Sequence, residues 1–276
     1  MSLSYIVVFI TLVVLILVVG VYKLNNMLLF HPYHASLSEL QNFEHKTKDH
    51  FKKEIIITKD GIELYGGLYN SERMPFYGDI IFLYSHGNGG WIGSVVQSNT
   101  IKLLSKFGSV FIYDYRGYGV NIGNVTEENL YKDITAVWNF LIKKKNISSN
   151  KIILYGHSLG SAITSKLLHK ITEQNKKLPK AMILEAPFIS IGEMAKLFLP
   201  SLAFLCMYKF DNLYNISNSH EDVPICIVHS KTDEIIPYDH ACIITEKSKC
   251  NLITIHGTHN IPFYTKDFDD WINKIL

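Results

Sequence analysis

The chain has 276 residues, of which 47% are hydrophobic and 19% charged, with a formal net charge of +2. About 245 residues remain beyond the apolar N-terminus, enough for one α/β domain with a large core. Lys and Arg are scattered, and the longest basic run, Lys143-Lys144-Lys145, falls at a helix end where it complements the dipole. A nucleic-acid partner is therefore not expected.

Tyr5 to Tyr22 carries no charge and is dominated by Ile, Val, Leu and Phe. About 18 residues at 1.5 Å rise reach roughly 27 Å, enough to cross the hydrocarbon core. No Lys or Arg precedes the run, which favours an uncleaved anchor over a signal peptide. The expected organisation is an anchor over 1–24, a membrane-proximal segment over 25–53 and a catalytic domain over 54–276. The bilayer is the partner of the anchor, and the expected location is single-pass in the endoplasmic reticulum, another endomembrane or the plasma membrane. Orientation is undetermined, because Lys23 is opposed only by the α-amino group. Sequons begin at Asn124, Asn146 and Asn215; about two would arise by chance, so they permit a luminal domain without requiring one. Cys206, Cys226, Cys242 and Cys250 form no C-x-x-C pair, so neither a metal framework nor a disulfide follows.

Leu24 to Phe30 is expected to dock the domain at the membrane surface, and Lys46 to Lys53 to form a loop. Glu54–Thr58 and Ile62–Tyr69 read as antiparallel edge strands around Lys59-Asp60-Gly61. Asp79–Tyr84, bounded by Gly78, and Ser109–Tyr113 read as strands buried on both faces, with a helix over Trp91–Phe107 between them. Thr126 caps a helix running to about Lys144. A strand over Lys151–Tyr155 and a helix after Ser158 follow, then strands at Ala181–Glu185, Pro224–His229 and Leu252–Ile255. Helices are expected over Tyr238–Lys247 and Phe263–Leu276. The alternation predicts an open, mostly parallel sheet with helices on both faces. Met194–Tyr208, rich in Leu and Phe, is either a short lid within about 191–222 or a core helix.

Gly156-His157-Ser158-Leu159-Gly160 joins a strand to a helix, the context in which a strained turn exposes a nucleophilic serine. The Leu159 N–H, at the helix start, is a natural oxyanion donor. A serine needs a base, and the base an orienting acid, both on loops beyond strand carboxyl ends. Asp233 and His259 meet that condition in the order nucleophile, acid, histidine. Glu234 is expected to point away; Glu185 and His256 are the rivals. The loop His86-Gly87-Asn88-Gly89-Gly90 supplies the second oxyanion N–H, from Asn88 or Gly89. His86 and His157 are expected to brace these loops, and Asp114 and Arg116 to pair with one another. Nothing in the pattern calls for a cofactor or a metal.

Thr58-Lys59-Asp60-Gly61, His86-Gly87-Asn88-Gly89, Tyr113-Asp114-Tyr115-Arg116-Gly117-Tyr118-Gly119, Leu130-Tyr131-Lys132-Asp133, the serine motif, Asp233-Glu234-Ile235-Ile236-Pro237 and His259-Asn260 span most of the chain beyond the anchor. In combination they resemble the membrane-anchored α/β-hydrolase-domain serine hydrolases, which include lysophospholipase, monoacylglycerol-lipase and acyl-protein-thioesterase relatives. The resemblance implies the α/β-hydrolase fold, a Ser158–Asp233–His259 triad and hydrolysis of acyl esters in a lipid-like or acylated substrate. Ser230-Lys231 stands where relatives commonly have glycine. The absence of cysteine before Cys206 fits the thioesterase branch with a palmitoylated N-terminus poorly. A depalmitoylase and a catalytically silent, membrane-tethered binding domain are the alternatives, and no oligomeric state is expected from the sequence.

Overall fold

The computed structural model describes residues 3–70, 80–219 and 221–276; the expected strand start at Asp79, with Gly78 before it, lies outside them. Near-continuous apolar runs form the central strands, because a parallel strand covered by helices on both faces has no solvent side. These are β3 (Ile81–Ser85), β4 (Ser109–Tyr113), β5 (Ile152–His157) and β6 (Ala181–Glu185), in which nearly every residue is buried. β7 (Ile225–Ser230) and β8 (Asn251–Thr258) extend the parallel sheet on one side. On the other, the hairpin of β1 (Phe51–Ile57) and β2 (Glu63–Tyr69) pairs antiparallel with β4 through β2. With β9 (Ile261–Phe263) the strand order is β1-β2-β4-β3-β5-β6-β7-β8-β9. β5, which leads into Ser158, is therefore central.

Two apolar cores lie on the two sides of this sheet. One contains Leu83, Leu154 and Leu184 with Leu130, Ile163 and Leu167. The other gathers Phe82, Ile153 and Ile183 with Ile101, Phe268 and Ile272. The alternation of neighbouring strand residues between the two is the period-2 consequence of strand geometry.

α1 is one helix from Leu3 to Leu29, running without a break through the stretch expected to dock separately. Val7–Leu29 has a mean hydropathy of 2.8 and is long and apolar enough to cross a membrane. The expected loop at 46–53 is instead the end of α2 (Leu37–Thr47) and the start of β1. Ser36 and Glu39 form a capping box there, each side chain bonding the other's backbone N–H, which satisfies two donors that a helix start would leave open. The helix expected over Trp91–Phe107 is two short ones, α3 (Ile92–Val95) and α4 (Asn99–Leu104). Ser98 adopts an extended conformation and caps α4 through the Ile101 N–H. α5 (Glu127–Asn139), capped by Thr126, ends in a π turn over Phe140–Lys144.

α6 (Leu159–Glu173) follows the serine, and α7 (Ile191–Phe198) leads to a 3-10 turn over Pro200–Leu205 and then to α8 (Asn212–Ser217). Asn215 of the third sequon is buried on α8, its amide bonded to Ser165, whereas Asn124 and Asn146 are exposed. α9 (Tyr238–Ser248) and α10 (Lys266–Ile275) complete the layers. β8 runs three residues further than expected and turns back through β9, which places His259 at a hairpin tip. Gly257 adopts a φ of +94°, and a Cβ there would drive into the Ile261 carbonyl.

Candidate active site

Ser158 sits between β5 and α6 with φ +53° and ψ −118°, a conformation that L-residues rarely hold and that is tolerated only where the surroundings fix it. Both flanking glycines are required by close approach. A Cβ on Gly156 would strike the Gly160 carbonyl, and one on Gly160 the Ser85 carbonyl. The serine is thereby forced to the tip of the turn at the α6 N-terminus.

His259 Nε2 lies 3.0 Å from Ser158 Oγ, and His259 Nδ1 lies 2.7 Å from Asp233 Oδ2. Asp233 Oδ1 accepts the N–H groups of Ile235 (2.9 Å) and Ile236 (2.8 Å). Burial opposes ionisation of Asp233, but hydrogen bonds from His229, His259 and the Ile236 amide outweigh it and hold the carboxyl far below its usual range. A serine, an imidazole and a fixed carboxylate in file are what general-base activation of a hydroxyl needs.

His157 Nε2 meets the His259 carbonyl at 3.1 Å, so this histidine braces the loop of the second one. Burial lowers its pKa, which favours the neutral imidazole. Glu234 does not point away: its carboxylate accepts the His259 N–H at 3.0 Å. The alternation expected of a strand does not hold here, because these residues form a turn. Glu185 is enclosed by the hydroxyls of Tyr155 (2.8 Å) and Tyr264 (2.9 Å), and His256 is exposed on β8. The file of bonded groups contains neither rival.

The loop after β3 crosses directly over the serine. A Cβ on Gly87 would come within 3.0 Å of His157 Nδ1 and 3.4 Å of Ser158 Cβ. Asn88, next in the chain, is anchored by its side chain. Its Nδ2 donates to the Leu29 carbonyl at 2.6 Å, while its Oδ1 accepts the His31 N–H at 3.1 Å and the Tyr118 hydroxyl at 2.9 Å. Tyr115 donates to the His86 carbonyl at 2.7 Å, and Ser85 and Tyr113 share a hydroxyl contact of 3.0 Å. These Asn88 and tyrosine contacts have no local sequence signal, since their partners are distant in the chain.

Asp114 and Arg116, expected to pair, do not. Arg116 is held by Asp133 (2.6 Å from Nη2) and Asp60 (2.7 Å from Nη1). Asp114 instead accepts the Ile92 N–H at 2.8 Å and lies 3.5 Å from His86 Nε2. Burial pushes the Asp114 carboxyl up to about 8 and the His86 imidazole down to about 4, so the pair stands neutral at pH 7.

Above Ser158 lies a cavity of about 830 Å³. Leu24, Leu28 and Leu29 of α1 form part of its wall, and Ile191, Met194 and Leu202 part of another. Met194–Tyr208 is not a core helix, since Phe198 is 63% and Phe204 80% exposed.

A family model described as serine aminopeptidase, S33 (Hydrolase_4) matches residues 80–218. The chain belongs to this α/β-hydrolase family. It is a serine hydrolase, and the β3 loop, the Ser158 turn and α7 all fall within the matched region. An uncharacterised protein of Acanthamoeba polyphaga mimivirus is 33% identical over 217 residues, covering 68% of this chain and 72% of that one. Lysophosphatidylserine lipase ABHD12 of Macaca fascicularis is 30% identical over 174 residues, covering 57% and 42%. The chain thus spans under half the length of that lipase. Among solved structures, an α/β hydrolase from Vibrio vulnificus superposes with a TM-score of 0.70 at 18% identity, covering 87% of both chains. A Pyrococcus furiosus esterase gives 0.66 at 17%, covering 90% of this chain and 96% of the other. Both carry the same fold.

Proposed function

We propose that this serine hydrolase is tethered to a membrane by α1 and cleaves acyl esters of lipid-like substrates such as lysophospholipids or monoacylglycerols. The observation that carries this reading is the apolar cavity that opens on Ser158 between α1 and the lid. In this mechanism Ser158 Oγ attacks the acyl carbonyl carbon while its proton passes to His259 Nε2. Asp233 keeps the other imidazole proton on Nδ1 and stabilises the imidazolium. The carbonyl oxygen becomes an oxyanion held by the backbone N–H groups of Leu159 and Asn88. Collapse expels the alcohol, which takes the proton from His259 and leaves an acyl-serine. Water, deprotonated by the same histidine, then releases the fatty acid and restores Ser158.

The similarity to a lysophosphatidylserine lipase supports a lipid substrate. The exposed apolar lid residues support it too, for Leu197, Phe198, Leu199, Leu202, Phe204 and Met207 lie beside the helix that would enter the bilayer. An ester leaving the lipid phase would meet the cavity without crossing water. The test is labelling of the membrane-inserted chain with a fluorophosphonate probe, followed by hydrolysis assays on monoacylglycerol and lysophospholipid vesicles. Labelling and fatty-acid release that both vanish in Ser158→Ala are expected. A folded wild type that neither labels nor releases fatty acid would leave the fold as a binding domain. Release confined to acylated peptides would identify a depalmitoylase.

A further inference from the structure

We infer that the C-terminal end of α1 is a working part of the active site, and that the Asn88 side chain is the positioning group through which it acts. The inference rests on the hydrolase reading above, in which the Asn88 amide is an oxyanion donor. A glycine-rich loop has little conformational preference of its own, so a backbone N–H in it must be aimed from outside. The Asn88 carboxamide uses both its ends for this. Nδ2 donates to the carbonyl of Leu29, the last residue of α1, and Oδ1 accepts the N–H of His31 two residues on. A carbonyl at a helix C-terminus has no partner within the helix, so the loop takes up an acceptor that the helix leaves open.

The helix end is itself fixed in place. Asn25 donates to the Leu205 carbonyl at 3.0 Å and accepts the Met207 N–H at 2.9 Å, while Asn26 bonds Tyr208. Phe30 packs edge-on against Tyr208 and Phe210 at 5.2 and 6.1 Å. Beyond it, Ala35 N–H donates to the Gly119 carbonyl at 2.8 Å and Gly119 N–H to that of Tyr33 at 2.7 Å. The last turn of α1 therefore holds the lid and the oxyanion loop, and the segment that follows it holds the Tyr118 loop. Any shift of α1 along its axis is passed to the Asn88 amide.

The experiment is a double-mutant cycle on the full-length chain in one detergent, read as kcat and KM on a soluble acetate ester too short to reach the lid. Asn88→Ala is expected to lower kcat about tenfold with KM nearly unchanged, as a misaimed transition-state donor should. Asn25→Ala, which touches the lid but not the loop, is expected to lower kcat roughly threefold. Added to Asn88→Ala it should cost nothing more, because the route by which it acts is already cut. Effects that multiply in the double variant would overturn the inference, as would wild-type kcat in either single one. Should Asn88→Ala not fold, Asn88→Ser removes the same reach and takes its place. The hydrolase reading fails differently, through a wild type that leaves the ester intact or a Ser158→Ala that still labels.

Discussion

Asp233→Asn tests the proposed triad most sharply, because the structure dictates which way the amide must face. Asp233 Oδ1 accepts two backbone N–H groups, from Ile235 and Ile236. An asparagine NH2 in that place would set donors against donors, so the amide oxygen must stay there. The NH2 group is then turned toward His259 Nδ1, now 2.7 Å from a carboxylate oxygen. It can only donate, so Nδ1 must accept and the imidazole proton moves to Nε2, facing Ser158. A protonated Nε2 cannot take the serine proton. The expected loss in kcat is about 10⁴-fold, or about 5 kcal/mol of transition-state stabilisation. Folding should survive, since the two backbone donors stay satisfied, at the cost of the hydrogen-bonded stabilisation that favours the carboxylate. The assay is hydrolysis of a chromogenic ester beside a thermal melt. A folded variant retaining more than about a tenth of wild-type kcat would refute this tautomer reasoning and the role given to Asp233.

Leu28→Trp projects a larger side chain from α1 into the cavity wall. If it displaces two acyl methylenes at about 0.8 kcal/mol each, preference for a laurate over a butyrate ester in kcat/KM should fall about fifteenfold; an unchanged ratio across a chain-length series would count against α1 as a wall. Asp114 gives a pH dependence of defined sign. Burial pushes its folded carboxyl up to about 8, above its unfolded value, so between the two the native state holds a proton that the unfolded chain has released. Stability should therefore fall as pH rises through that window. His86, held low by burial, contributes the opposite slope below about 6.5, so the Asp114 signal is read between about 7 and 8, where Asp114→Asn should flatten the dependence of melting temperature on pH; a slope equal to wild type there would place the titration elsewhere.

The parallel strands were legible because a strand buried on both faces leaves an uninterrupted Val, Ile and Leu record, as at Ile152–Leu154. The serine turn was legible because only glycine tolerates the approach of Gly160 to the Ser85 carbonyl. α2 was missed for the opposite reason: its sequence is charged and buries only Phe43, so periodicity was weak, although Ser36-x-x-Glu39 was a usable start signal. β9 is three residues long with Pro262 at its centre, and it exists through pairing with β8 rather than through propensity. Arg116 could not be matched to its partners, since the ion pairs reach 56 and 17 residues along the chain and nearest-neighbour reasoning chose Asp114.

The Arg116 pairing gives a role to the motifs that carry the family resemblance. Thr58-Lys59-Asp60-Gly61, the Tyr-Arg-Gly-Tyr-Gly stretch and Leu130-Tyr131-Lys132-Asp133 contain no group that reaches Ser158. They meet instead at one buried guanidinium, with Asp60 on the β1–β2 turn, Arg116 after β4 and Asp133 on α5. The Arg116 N–H also donates to Asp133, at 2.9 Å, so the chain direction leaving β4 is set by an ion pair rather than by a strand. That direction places Tyr115 on the His86 carbonyl and Tyr118 on Asn88. A donor for an oxyanion must stand where charge will develop before any charge is there, and a loop of glycines supplies no such rigidity alone. In the proposed site that rigidity comes from outside the loop: from the Arg116 centre through two tyrosines on one side, and from the end of α1 through the Asn88 carboxamide on the other.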